Sequence, residues 1–379
     1  MKKTLLATAI AGAAFASGAQ AATIYNEDGT KVDLYGNIQF AYSDVEQGDG
    51  TSVDGLNDNG TTVGINASHM VTRDLTGYLK LEFEVDAADE IKGSGRGLND
   101  GDQAYVGVKG NFGDLRIGSW DPIIDDWAQD KITNNEFADV SDSTSDVTAF
   151  VDDEGDAVGD REGDKVQYSS PSFNGFDFAL GFQFKGDGDR TDNSLPGRID
   201  PETAAVLPAE DASYEQDEEA AFFGGVRYTL DSLQLAAIYD SLDVYSFNDL
   251  DGNDDISAEA YALSAVYGFG ATTLGAKYER TNLEVGSDDG EVDRYGLSAR
   301  HGFNFGDVYA GYQYVDAQNA ALIVDDGYAG TTGDESYNEF TIGANYGISD
   351  NMYVWAETGV YDREEDADDF VATGIVYSF

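Results

Sequence analysis

The pattern that most constrains this chain is a two-residue alternation of apolar and polar side chains, repeated in short segments almost to each terminus. In Leu75–Asp86, Leu79, Leu81, Phe83 and Val85 alternate with Tyr78, Lys80, Glu82, Glu84 and Asp86. A period of two puts each set on its own face of a β-strand. Lys31–Ser43 repeats the device, with Val32, Leu34, Ile38, Phe40 and Tyr42 against Asp33, Tyr35, Asn37 and Gln39. Consecutive charges on one face are compatible with a membrane strand only if that face is wet. The plainer alternative is a soluble sandwich with a polar outer face.

Sixteen such segments fit between Lys31 and Phe379, and their connections decide between the two readings. Short turns at Arg73-Asp74, Asn111–Gly113, Asp231-Ser232, Asn304–Gly306 and Ser349–Asn351 alternate with long acidic stretches. The long ones are Asp44–Gly60, Trp120–Asp164, Gly186–Asp217, Ser246–Ile256 and Gln318–Glu335. An up-and-down membrane barrel sorts its turns in this way, and a sandwich has no reason to. The expected fold is therefore all-β: a 16-stranded antiparallel transmembrane β-barrel, both termini on the short-turn side, with a lumen wide enough for water. The last segment places Val371, Thr373, Ile375, Tyr377 and Phe379 on one face, the aromatics suiting a belt at headgroup depth.

Residues 1–21 carry Lys2 and Lys3, an apolar run from Leu5 to Ala16 and the ending Ala19-Gln20-Ala21, a pattern that predicts a cleaved secretory signal peptide. Residues 22–379 then form a single barrel domain. No later window of about 20 residues is free of charge, so no membrane helix is expected. The chain has 73 acidic and 21 basic residues, and cleavage would remove two of the basic ones. Such acidity argues against nucleic acid as a partner. Its 23 Tyr and 20 Phe, set in alternating segments, argue against disorder. The absence of cysteine excludes disulfides and thiolate metal sites.

Trp120–Asp164 contains fifteen acidic residues against Lys131 and Arg161 and follows neither the strand nor the helix period. An irregular stretch of that length is usually functional. It is read as the third outer loop, folded into the barrel to narrow it.

At this point the chain resembles the trimeric general diffusion porins of Gram-negative outer membranes. The resemblance spans the mature chain and is carried by Ile24-Tyr25-Asn26, Asp28-Gly29, Lys31–Gly36, Asp74–Tyr78 and the terminal Tyr377-Ser378-Phe379. It implies a homotrimer embedded in outer-membrane lipid and lipopolysaccharide, with no cofactor. It also implies that loop carboxylates face a basic ladder on the wall. Asn135-Glu136-Phe137 is similar to the family's Pro-Glu-Phe, which makes Glu136 a constriction carboxylate. Arg161 falls where the family has an arginine, and it shares inward parity with Lys165. The departures are Asn37, Thr62 and Asp102 at wall positions expected to be basic, and Ile132 at the loop's other acidic position, with Asp130 the nearest substitute.

Three rivals are weaker. Catalysis would need a legible nucleophile and base, yet the two histidines, His69 and His301, stand in strands near turns. Asp249, Asp251, Asn253, Asp255 and Ser257 imitate a calcium loop, but Asp254 and Ala260 replace the required glycine and glutamate. Surface adhesion by the outer loops is compatible with a channel rather than opposed to it. The expected function is passive diffusion of small hydrophilic solutes and ions, cation-preferring because inward Glu82, Glu84, Asp86 and Asp102 oppose Lys80, Arg116, Lys165 and Arg161. Tyr and Phe fall mostly on the outward parity, so no aromatic sugar track is expected along the lumen.

Overall fold

The computed structural model describes residues 21–47, 50–85, 87–88, 98–129, 136–138, 163–184, 220–241, 256–285, 288–318, 335–362 and 369–379. Eighteen strand segments follow one another: β1 (Ala22–Glu27), β2 (Thr30–Glu46), β3 (Ser52–Asp58), β4 (Thr62–Thr72), β5 (Leu75–Val85) and β6 (Leu98–Gly110). Next come β7 (Gly113–Ser119), β8 (Lys165–Ser169), β9 (Phe176–Phe184), β10 (Ala220–Leu230), β11 (Leu233–Ser241) and β12 (Ile256–Phe269). The last are β13 (Thr272–Val285), β14 (Asp288–Phe303), β15 (Gly306–Gln318), β16 (Glu335–Ser349), β17 (Met352–Tyr361) and β18 (Phe370–Ser378).

These segments occupy sixteen positions in a closed antiparallel ring. On one edge of β2, β1 pairs with Thr30–Leu34 and β18 with Asn37–Val45, so the two termini lie end to end as one strand. On the other edge, β4 pairs with Thr30–Asn37 and β3 with Phe40–Glu46, again as one interrupted strand. From β4 to β18 each strand pairs with the next. The ring is completed where Gly36 N–H donates to the Phe379 carbonyl at 3.1 Å and Phe379 N–H to the Gly36 carbonyl at 2.9 Å. The β1–β2 turn uses Asp28 and Gly29, both at positive φ (52° and 76°), as a tight hairpin requires.

Two connections differ from the sequence expectation. Most of Asp44–Gly60, expected as a long loop, is paired backbone: β2 runs on to Glu46 and β3 returns against it. Likewise β13 and β14 pair from Val285 and Asp288 downward, leaving two residues between them. In both places the hydrophobic alternation fades before the pairing does. Lipid selects the apolar parity only within the bilayer, whereas hydrogen bonding continues a hairpin beyond it.

Parity is as the alternation requires. In β13, Lys277, Glu279 and Thr281 are buried on the inner face while Leu274 is exposed on the outer. Outward aromatics gather in two bands. Tyr278, Tyr295 and Tyr314 succeed one another toward the long-connection end, with centroids 5.1 and 6.2 Å apart. Phe303, Phe305 and Tyr346 do so at the short-turn end, at 5.8 and 5.9 Å. Two such girdles bound the apolar belt of a membrane barrel.

Closure depends on Gly36, where an added Cβ would stand 2.5 Å from the Thr62 carbonyl oxygen and 3.0 Å from the Phe379 ring. Gly36→Val should cost about 1–3 kcal/mol of unfolding free energy, read as a lower urea midpoint of the barrel in lipid. Gly55→Val, at a site where a Cβ meets only the Asn57 side chain at 3.5 Å, should leave that midpoint nearly unchanged.

Candidate functional site

The site begins where β7 ends. Trp120 is 2% exposed, with Tyr105 edge-on at 5.8 Å and the Arg116 guanidinium 4.2 Å from its ring centre. Lys165, opposite on β8, donates its ammonium to the Trp120 carbonyl. The chain then makes a single π-helical turn, Asp125–Gln129. Ile123 and Ile124 just before it and Ala128 within it are buried against Ala179 of β9, Phe223 of β10, Ala236 and Ile238 of β11, and Ala260 and Ala262 of β12. Ser264 donates its hydroxyl to the Trp127 carbonyl at 2.7 Å, and Arg227 lies over the Trp127 ring at 4.6 Å. Arg227 is itself paired with Asp177 at 2.9 Å.

A second described patch of the same stretch, Glu136–Ala138, meets the wall at β15–β18. The Glu357 carboxylate accepts three backbone N–H groups, from Glu136 at 2.9 Å, Phe137 at 3.3 Å and Ala138 at 2.9 Å. It also accepts the Tyr309 hydroxyl at 2.6 Å. The Phe137 ring packs 5.0 Å from Phe370 and 6.4 Å from Trp355. From the far side, Asn59 donates to the Glu136 carbonyl at 2.6 Å. The Glu136 carboxylate accepts from Tyr353 at 3.0 Å and Asn345 at 3.3 Å. Burial raises its pKa above the ordinary 4.5, opposed by those two hydrogen bonds and by Arg300. Asp121 is raised too, by burial and by Asp126, against the pull of Lys80 and Lys165.

The sequence-predicted residues fall as follows. Lys80 donates to Gln103 at 2.8 Å and to Glu82 at 3.1 Å, and Gln103 donates onward to Asp121 at 2.6 Å. Arg116 reaches Gln167 at 3.4 Å, so Lys80, Arg116, Lys165 and the first residues of the long stretch form one neighbourhood. Glu136 is held apart from it, since β16 and β8 stand on opposite sides of the ring. Asp130 and Arg161 lie outside the described residues, as do the calcium-like residues from Asp249 to Asp255. Asn37 donates to Thr62 at 3.1 Å, a neutral pair where basic side chains were expected. His69 and His301 each bond a threonine on the neighbouring strand, Thr30 and Thr272, both at 2.7 Å.

Sequence reasoning missed Asp121, Gln103, Glu357, Tyr353 and Asn345. Glu357 has the right parity to be noticed, but what it grips is a backbone more than two hundred residues away. Three rings nonetheless gather on the inner side in one sector. Tyr78 and Tyr105 stand 6.2 Å apart on the inner wall and Trp120 continues the row. Each strand contributes a single ring, so the row is invisible within any one segment.

A closed sixteen-position barrel with a polar interior and aromatic girdles defines a membrane channel. The family model described as Gram-negative porin matches residues 7–366, and the chain belongs to that family. Its members are outer-membrane channels rather than enzymes. Two Halomonas proteins, a "monosaccharide porin" and the "major outer membrane protein" of Halomonas elongata, are each 43% identical over 395 residues, covering 100% of both chains. Among solved structures, an anion-selective porin from Comamonas acidovorans aligns with a TM-score of 0.68 at 17% identity, over 92% of this chain and 100% of that one. The trimer form of OmpT from Vibrio cholerae aligns at 0.60 and 18%, over 93% and 100%.

Removing the Glu357 carboxylate would leave three backbone donors and a tyrosine hydroxyl without their acceptor. Glu357→Ala should therefore lower stability by at least about 3 kcal/mol and raise open-channel current noise as the Glu136–Ala138 patch loses its anchor. Both are read on the reconstituted protein, by urea titration and by single-channel recording. Quiet channels in Glu357→Ala would show that the patch is held by Phe137 packing alone.

Proposed function

We propose that this porin is a homotrimer passing small hydrophilic solutes and ions by passive diffusion, with its lumen narrowed by the Trp120–Asp164 stretch. The observation that carries the reading is the pair of anchorages just described. One stretch is packed against β9–β12 near residue 127 and held by Glu357 near residue 137, which supports a path across the lumen. The constriction set is Lys80, Arg116 and Lys165 on the wall, with Arg161, against Asp130 and Glu136. The trimer form of a structural neighbour supports the assembly, in outer-membrane lipid and lipopolysaccharide. The name of the Halomonas relative supports neutral sugars among the solutes. Export would remove residues 1–21.

Selectivity for cations rests on this chain's own residues, because the fold is shared with an anion-selective porin. Four wall cations are already answered: Lys80 by Glu82, Arg227 by Asp177, Lys277 by Glu279 and Arg300 by Asp307. Asp121, Asp126, Glu136 and Glu357 add negative charge within the lumen, where low-dielectric walls focus the potential.

Two measurements test this. Deleting residues 134–145 should raise single-channel conductance, and an unchanged value would place the narrowing elsewhere. Under a potassium chloride gradient the reversal potential should have the cation sign at low salt. Because the Glu136 pKa is raised, that group takes up its proton at a higher pH than an exposed glutamate. The cation preference should accordingly begin to fall while pH is still above about 4.5, and Glu136→Gln should remove that part of the titration. A chloride-preferring sign at low salt would overturn the selectivity.

A further inference from the structure

Beyond the narrowing, on the short-turn side of Trp127, the inner wall lines an open chamber of about 670 Å³. Its volume lies in the range of small-molecule sites, about 300–1,000 Å³. The chamber draws on β2, β4–β10 and the π-helical turn, and its aromatic surfaces are Tyr78, Tyr105 and Trp127.

What sets it apart from a plain stretch of pore is how its polar groups are committed. Most of its charges are spent within the wall. Arg227 pairs with Asp177, Asp33 with Lys31 at 2.7 Å, and Asp114 accepts the Tyr78 hydroxyl. The uncommitted groups are mostly neutral. Among the described residues the side chains of Asn66, Ser68 and Ser172 have no hydrogen-bond partner, and Arg116 Nε is buried without an acceptor. An anion entering here would meet Asp114 and Asp126, and a cation would meet Lys109 and Arg116. A solute carrying several hydroxyls and no charge answers both sets of groups and opposes neither. Aromatic rings beside free amides and hydroxyls supply what a sugar offers in turn, apolar C–H faces and a fringe of donors and acceptors.

We propose that this chamber is a weak, saturable binding subsite for a neutral hexose-sized polyhydroxy solute. Asn66, Ser68 and Arg116 contact its hydroxyls, and Trp127 closes the narrowing side. The proposal rests on the channel reading above and deepens it. A solute held briefly just past the constriction fills a well on the exit side, and conduction of any ligand needs wells shallow enough to leave.

The test uses the full chain in planar bilayers in potassium chloride, with D-glucose added to both sides. Ion current, corrected for bath conductivity, should fall along a saturating curve. In Asn66→Ala/Ser68→Ala the half-saturating glucose concentration should rise about five- to thirtyfold, as expected for two lost neutral hydrogen bonds. Current that falls only in proportion to bath conductivity would overturn the subsite while leaving the channel intact. Saturation unchanged in the double variant would overturn its location, and stronger saturation by gluconate than by glucose would overturn its chemistry. A protein that inserts and carries no current would overturn the channel reading itself, an outcome distinct from the other three.

Discussion

An unpaired peptide group in hydrocarbon costs several kcal/mol, so a sheet can stand in a membrane only if it has no edge. In this molecule the edge is removed where β18 pairs with β2 and where Gly36 and Phe379 exchange backbone hydrogen bonds. Everything else follows from that closure. A ring of sixteen positions has an inside too wide for side chains from opposite walls to meet, so it fills with water. Once it is wet, charges are admissible on every inward position. Thus Lys80 and Glu82 can sit two residues apart on a strand whose other face carries Leu81 to lipid.

The same wall shows how large inward side chains are kept from projecting. Tyr35 lies across Gly64, Tyr309 across Gly343 and Trp355 across Gly374, each ring occupying the place where a Cβ would have been. Flattening the rings against the backbone keeps them from crossing the lumen. It also presents the faces of Tyr35 and Tyr78 to Lys80 and Lys109, each within 6 Å of a ring centre. Cations laid along aromatic faces retain their charge while losing reach.

The barrel was legible in the sequence because lipid on one side and water on the other write the same two-residue code into every strand. Strand count and the sorting of turns followed from that code. The β2–β3 hairpin did not, since Ser43–Glu46 and Ser52–Gly55 pair where lipid no longer enforces alternation. The inward parity of Lys80, Arg116 and Lys165 was readable along their strands, and with it the wall half of the proposed site. The loop half was not. Glu136 carried a family signature, but its partners Tyr353, Asn345 and Glu357 come from strands more than two hundred residues later. Pairings of that kind are decided by where a closed ring brings its opposite walls, which no local period records.

Net charge and selectivity separate for a related reason. The chain's formal charge of −52 is mostly a property of its connections. At physiological salt, charges beyond a Debye length of about 8 Å are screened from a permeating ion. What an ion feels is the set of groups within that distance of its path. In the neighbourhood of Trp120 these are Lys80, Arg116 and Lys165 against Glu82, Asp121 and Asp126, nearly balanced. On the opposite wall they are Arg300 against Glu136, Asp307 and Glu357. The acidic excess therefore lies on the β15–β18 side, while the charges on the β5–β8 side offset one another. A fold shared with an anion-selective porin is consistent with this, because exchanging a few side chains on one wall reverses the excess without touching the hydrogen bonds that close the ring.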